Sequence, residues 1–133
     1  MSQLHIDVVT PKGIKFSGEA ISCTAPGING EFQILKDHAA LVAQLKIGEI
    51  KIDLQGKIRW LATSGGYLEV KNNVISIIAD TAEWSEDIEI DRAKESENRA
   101  RERLQKTGQD IDIDRAQLAL ARALNRLKVA SYT

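Results

Sequence analysis

Two sets of arginines are the residues in this chain with chemistry to offer. Arg92, Arg99 and Arg103 recur at the same spacing as Arg115, Arg122 and Arg126. At 100° per residue each set falls within about 20° of one line on a helix. A guanidinium is a planar fork of donors that grips a carboxylate or phosphate through paired, charge-assisted hydrogen bonds. Two such stripes side by side would repel when bare and be bridged by a polyphosphate. The plainer alternative is a pair of solvated helix faces, with i to i+3 and i+4 neighbours such as Glu95 and Arg99 or Asn98 and Glu102.

The stripes belong to an internal near-repeat with an offset of about 23 residues. Asp87-Ile88-Glu89-Ile90-Asp91-Arg92-Ala93 is echoed by Asp110-Ile111-Asp112-Ile113-Asp114-Arg115-Ala116. Two similar helices are therefore expected. About a quarter turn from the arginines run Ala93, Ala100 and Leu104 on the first, and Ala116, Ala123 and Leu127 on the second, broadened by Ile113, Leu120 and Leu124. Docking the alanine-rich first helix is worth only a few kcal/mol, at roughly 0.8 kcal/mol per buried methylene. The second, with Leu118, Leu120, Leu124 and Leu127, needs a partner wherever it lies. Gln105-Lys106-Thr107-Gly108-Gln109 offers a glycine to end one helix, and Asp110 or Asp112 can cap the next. A short connection makes the pair an antiparallel hairpin. In that geometry Arg92 lies opposite the neighbourhood of Arg126, and Arg99 within reach of the level of Arg122. Four guanidiniums then converge near the open half, and an anion there would be coupled to hairpin closure.

The rest of the chain has a different character. Gly-Gly, Pro and Asn-Asn punctuation and most Val and Ile lie before Trp84; Arg, Ala, Glu and Leu follow it. Two domains are expected, 1–84 and 85–133. Leu4, Ile6 and Val8 alternate with His5 and Asp7, the period of a half-buried strand. Ala39 to Leu45 reads equally as strand or buried helical turn. Ile47 to Leu54 and Lys57 to Thr63 flank a two-residue turn at Gln55-Gly56, and Asn72-Asn73 separates two further runs. Eight or more short strands spaced about ten residues apart imply an antiparallel sandwich or barrel, with a core of Ile, Leu and Val. The fold class is α+β: a sandwich followed by a two-helix hairpin.

A net charge of -1 over 133 residues gives no general attraction to nucleic acid or anionic membrane. There is no phosphate-cradling Gly-rich loop before Lys and Ser or Thr, no metal-ligand spacing, and no nucleophile-histidine set. His5 and His38 read as surface residues, so autonomous catalysis is not expected. Ser64-Gly65-Gly66 reads as a bend that lets backbones approach. The lone Cys23 suits a buried apolar position in a reducing compartment. No run approaches the length of a membrane span, and Met1-Ser2-Gln3 leads into a strand pattern without a signal sequence. A soluble protein made where it works is expected. The rival from another class is a nucleic-acid-binding helical hairpin on a small barrel; it requires affinity that falls steeply with salt, yet Asp and Glu interleave both stripes.

The whole chain resembles the epsilon subunits of F-type ATP synthases. Val8-Val9-Thr10-Pro11 with Phe16-Ser17-Gly18, Gly30-Glu31-Phe32-Gln33-Ile34-Leu35 with His38-Ala39, Ser64-Gly65-Gly66-Tyr67-Leu68-Glu69-Val70 and Ala79-Asp80-Thr81-Ala82-Glu83 look like that subunit's sandwich. Asp110-Ile111-Asp112, Arg115-Ala116 and Arg122-Ala123-Leu124-Asn125-Arg126-Leu127 are similar to the bacterial form. The resemblance implies a non-catalytic, ten-stranded rotor subunit in the central stalk. It implies binding to the gamma subunit and the ring of c subunits, with Glu31 and His38 matching loop positions near that ring. It also implies a peripheral place on the cytoplasmic face of the bacterial plasma membrane. The helices would move between a compact state on the sandwich and an extended state that reaches the alpha and beta subunits and inhibits ATP hydrolysis. No cofactor is required, but some members bind ATP in the compact state as a regulatory ligand. Ile88, Arg92 and Ala93, with Arg99, Arg122 and Arg126, match that motif. Glu89 stands where the motif has aspartate, which moves a carboxylate placed to cap the helix or touch the nucleoside.

Overall fold

A computed structural model of the chain describes residues 3–106 and 112–132. Gly108 and Asp110, proposed above as helix stop and cap, lie outside the described residues. Ten strands come first: β1 (Leu4–Thr10), β2 (Gly13–Ala20), β3 (Ser22–Gly27), β4 (Gly30–Leu35), β5 (Leu41–Leu45), β6 (Gly48–Asp53), β7 (Ile58–Thr63), β8 (Gly66–Lys71), β9 (Val74–Ala79) and β10 (Ala82–Trp84). A short 3-10 turn, Ser85–Asp87, leads to α1 (Ile90–Gln105) and then α2 (Ile113–Ala130).

The strands run in the order β10-β7-β6-β3-β5-β8-β9-β1-β2, with β4 paired to β3, as one nearly closed sandwich. The period-two pattern does what it should: Leu4, Ile6 and Val8 are buried while His5 and Asp7 are not. Among the described residues, the largest side chains wholly removed from solvent are all Leu, Ile or Val. The ambiguous stretch resolves as β5, because Leu41 to Leu45 pairs along β8. Gln55 and Gly56 have φ of 59° and 91°, and Asn72 and Asn73 have 51° and 63°, the left-handed pairs that twist-matched two-residue hairpins require. A Cβ on Gly66 would run into the Ile78 carbonyl oxygen, so the Gly-Gly pair does permit close backbone approach.

One expectation needs correction. The pairing is not wholly antiparallel, since β1 lies parallel to β9, His5 opposite Val74 and Val9 opposite Ile78. The first strand closes the sandwich against the ninth, and a long excursion between two strands allows parallel pairing where a hairpin would forbid it.

Candidate functional site

The second helix is attached to the sandwich by a small set of directional contacts. Asn125 donates through Nδ2 to the Gly48 carbonyl (2.8 Å) and the Thr63 carbonyl (3.4 Å). Arg126 grips Glu83 of β10 with both arms, Nε to Oε1 at 2.6 Å and Nη2 to Oε2 at 3.0 Å, the fork geometry that makes such pairs strong. Lys128 lies 3.8 Å from Glu49. At the helix end, Val129 and Ala130 pack with Ala62 and Ile88 against Trp60. The Tyr132 ring sits 4.4 Å from that of Trp60.

The linker before α1 is held separately. Arg59 of β7 places its guanidinium 3.5 Å from the centroid of the Trp84 ring and pairs with Glu86 at 2.6 Å. That hydrogen bond holds the Glu86 carboxyl below its usual range. α1 itself packs chiefly on α2 and scarcely touches the sandwich. Its buried residues are Ala93 and Ala100, matched on α2 by Ala116 and Ala123. The alanines were read correctly as the packing line, but the broad leucine face was not. Ile113, Leu118 and Leu124 are exposed, and Leu120 and Leu127 half-buried. Small residues let two helices approach until the larger neighbours are pushed to the rim.

Under the hairpin lies a cleft of about 770 Å³. Its walls are the β1–β2 turn, the ends of β7 and β10, and α2 with Ala119, Arg122, Asn125 and Arg126; Asp87 and Ser96 reach it from the linker and α1. Of the seven residues expected at a nucleotide, Arg122 and Arg126 line this cleft. Arg92 and Arg99 do not, and the four-guanidinium convergence is therefore absent from this arrangement. Their side chains are 74% and 61% exposed, 3.9 Å from Glu89 and Glu95 on their own turn of chain. Arg99 is the nearer to the cleft, because it donates to Ser96 Oγ at 3.2 Å and Ser96 lines the wall. Ala93 is buried between the helices, and Ile88 is buried under the end of α2. Glu89 occupies the position before α1 without capping it by its side chain, whereas Asp112 accepts from the Arg115 amide before α2.

Glu31 and His38 were expected in loops that face the ring of c subunits. Glu31 instead lies within β4, opposite Pro26, and His38 follows that strand's other end, its Nδ1 2.7 Å from the Ala39 carbonyl oxygen. His5 pairs with Asp7 at 3.0 Å on the sandwich surface. The charged and polar cleft residues that sequence reasoning missed include Lys12, Lys15, Asp80, Glu83, Asp87, Ser96 and Asn125. Only Asn125 carried a signal: it replaces Glu102 at the corresponding position of the repeat. Among the described residues, no group of three or more His, Cys, Asp or Glu side chains is placed to hold a metal.

Residues 3–85 match the family model described as ATP synthase, Delta/Epsilon chain, beta-sandwich domain. Residues 86–131 match its companion, the long alpha-helix domain. The chain is 46% identical over 126 residues to the ATP synthase epsilon chain of Desulforamulus reducens, covering 95% of this chain and 96% of that one. It is 44% identical over 97 residues to the epsilon chain of Desulfitobacterium hafniense, 73% and 74% covered. A chain of the Euglena gracilis mitochondrial ATP synthase, solved by cryo-EM with OSCP, F1 and c-ring, superposes with a TM-score of 0.84 at 20% identity, over 100% of this chain and 83% of that one. At that identity the likeness is one of fold.

Proposed function

The chain belongs to the delta/epsilon family of ATP synthase subunits, in its bacterial epsilon form, and we propose that its sandwich couples rotor parts while its hairpin is a detachable brake. The sandwich binds gamma and rests on the ring of c subunits. The subunit is non-catalytic and peripheral, held at the cytoplasmic face of the plasma membrane through the complex; among the described residues no helix is long and apolar enough to cross a membrane. The hairpin leaves the sandwich, extends along gamma toward alpha and beta, and inhibits ATP hydrolysis. ATP, taken up by the cleft arginines, favours the docked state.

The observation that carries this reading is the manner of attachment. α1 is held by α2, and α2 by a few polar contacts and one small apolar anchor, so the pair can depart without opening the sandwich core. A ligand at 100 times its dissociation constant stabilises the state it binds by about 2.7 kcal/mol. That matches the few kcal/mol a small docking surface supplies.

The test is to fasten the hairpin. With Glu49→Cys and Lys128→Cys joined by a short bis-maleimide in the assembled synthase, ATP hydrolysis should rise to the rate seen with the hairpin deleted. An inhibition unchanged by the cross-link would refute the brake. The native Cys23 is buried and should not compete for the reagent.

A further inference from the structure

The cleft has a second wall that the arginine stripes do not supply. Thr10, Pro11, Lys12, Gly13, Ile14 and Lys15 of the β1–β2 turn face the same space as Arg122 and Arg126. Resting on the nucleotide reading above, we propose that Lys12 and Lys15 form the opposing jaw of that site, holding the phosphates of a nucleoside triphosphate from the sandwich side.

Charge decides the matter. The cleft is lined by four cations, Lys12, Lys15, Arg122 and Arg126, and three carboxylates, Asp80, Glu83 and Asp87. Remove the lysines and the carboxylates outnumber the arginines, so the lining would repel a polyphosphate. One arginine is moreover already engaged, Arg126 with Glu83. Among the described residues Lys12, Lys15 and Arg122 form no ion pair, and their ammonium and guanidinium groups are left for a ligand.

The turn is built to hold its lysines in place. Thr10 Oγ1 accepts from the Lys12 amide at 3.2 Å and donates to the Gly13 carbonyl at 3.3 Å, and Gly13 takes φ +122° with open space where a Cβ would stand. Both lysine stems therefore spring from a fixed backbone. A phosphate chain spanning the cleft ties α2 to the sandwich directly, which explains how a ligand could hold the docked state without first drawing α1 onto α2.

Calorimetric titration of the full chain with ATP separates the alternatives. Lys12→Ala with Lys15→Ala should weaken binding at least tenfold, while Lys12→Arg with Lys15→Arg keeps it within about threefold of the original. ATP should also slow amide exchange in the β1–β2 turn. Unchanged affinity in the alanine pair would overturn the lysine jaw and leave the nucleotide site standing on α2. No heat from the unaltered chain up to millimolar ATP would overturn the nucleotide reading itself.

Discussion

The two helices began as copies of one pattern and ended with different tasks. α1 and α2 share their alanine line and their arginine stripe, yet α2 is anchored to the sandwich and α1 chiefly to α2. The difference lies where the repeat fails. Asn125 stands in place of Glu102, Val129 in place of Lys106, and Asp112 in place of Glu89. The first reaches two backbone carbonyls, the second is fully buried, and the third caps its helix. Arg103 and Arg126 teach the complementary lesson. They are repeat mates of one residue type, but only Arg126 has a carboxylate of the sandwich before it. Position relative to the sheet, not residue type, turns a solvated arginine into a fastening.

The asymmetry can be broken most strongly at its apolar anchor. Val129→Asp puts an unpaired carboxylate into the contact with Ala62, Ile88 and Trp60, and should cost about 3 kcal/mol of α2 docking. Amide exchange along α2 should quicken while the sandwich keeps its protection; equal loss in both would mean the helix is part of one cooperative core. The repeat mate Lys106→Asp should move neither by more than about 0.5 kcal/mol.

A smaller effect is expected from the arginines. Arg126→Ala strands a half-buried Glu83 and should weaken α2 docking by about 1 to 2 kcal/mol, against about 0.5 kcal/mol or less for Arg103→Ala. Trp60 emission, sensitive to the Tyr132 ring beside it, reports docking; matching responses from the two variants would remove the fastening.

The smallest change exchanges the caps. Asp112→Ala should cost α2 about 1 kcal/mol, and Glu89→Asp, by supplying the shorter carboxylate, should stabilise α1 by about 0.5 kcal/mol. Exchange in the first turn of each helix measures both. A Glu89→Asp variant that leaves α1 unchanged would show that chain entry, not carboxylate length, prevents capping there.

The strand pattern, its turns, the two helices and their alanine line were all legible in the residues, because each rests on local rules: alternation for a half-buried sheet, left-handed turn residues between strands, and a 3.6-residue period. The leucines of α2 misled, since a hydrophobic count says that a face can be buried and not which of two neighbours will take it. Ile113, Leu118 and Leu124 lost that competition to alanine contact.

By itself the sequence determined most of the strands, both helices and the alanine line between them, and which positions carry charge. Only the tertiary structure decided which of them share a space. Lys12 and Arg122 are more than a hundred residues apart in the chain, and Glu83 of the last strand meets Arg126 of the second helix 43 positions on. No local spacing encodes such meetings, because the place where a helix comes to rest on a sheet is set by summed packing and charge over the whole surface.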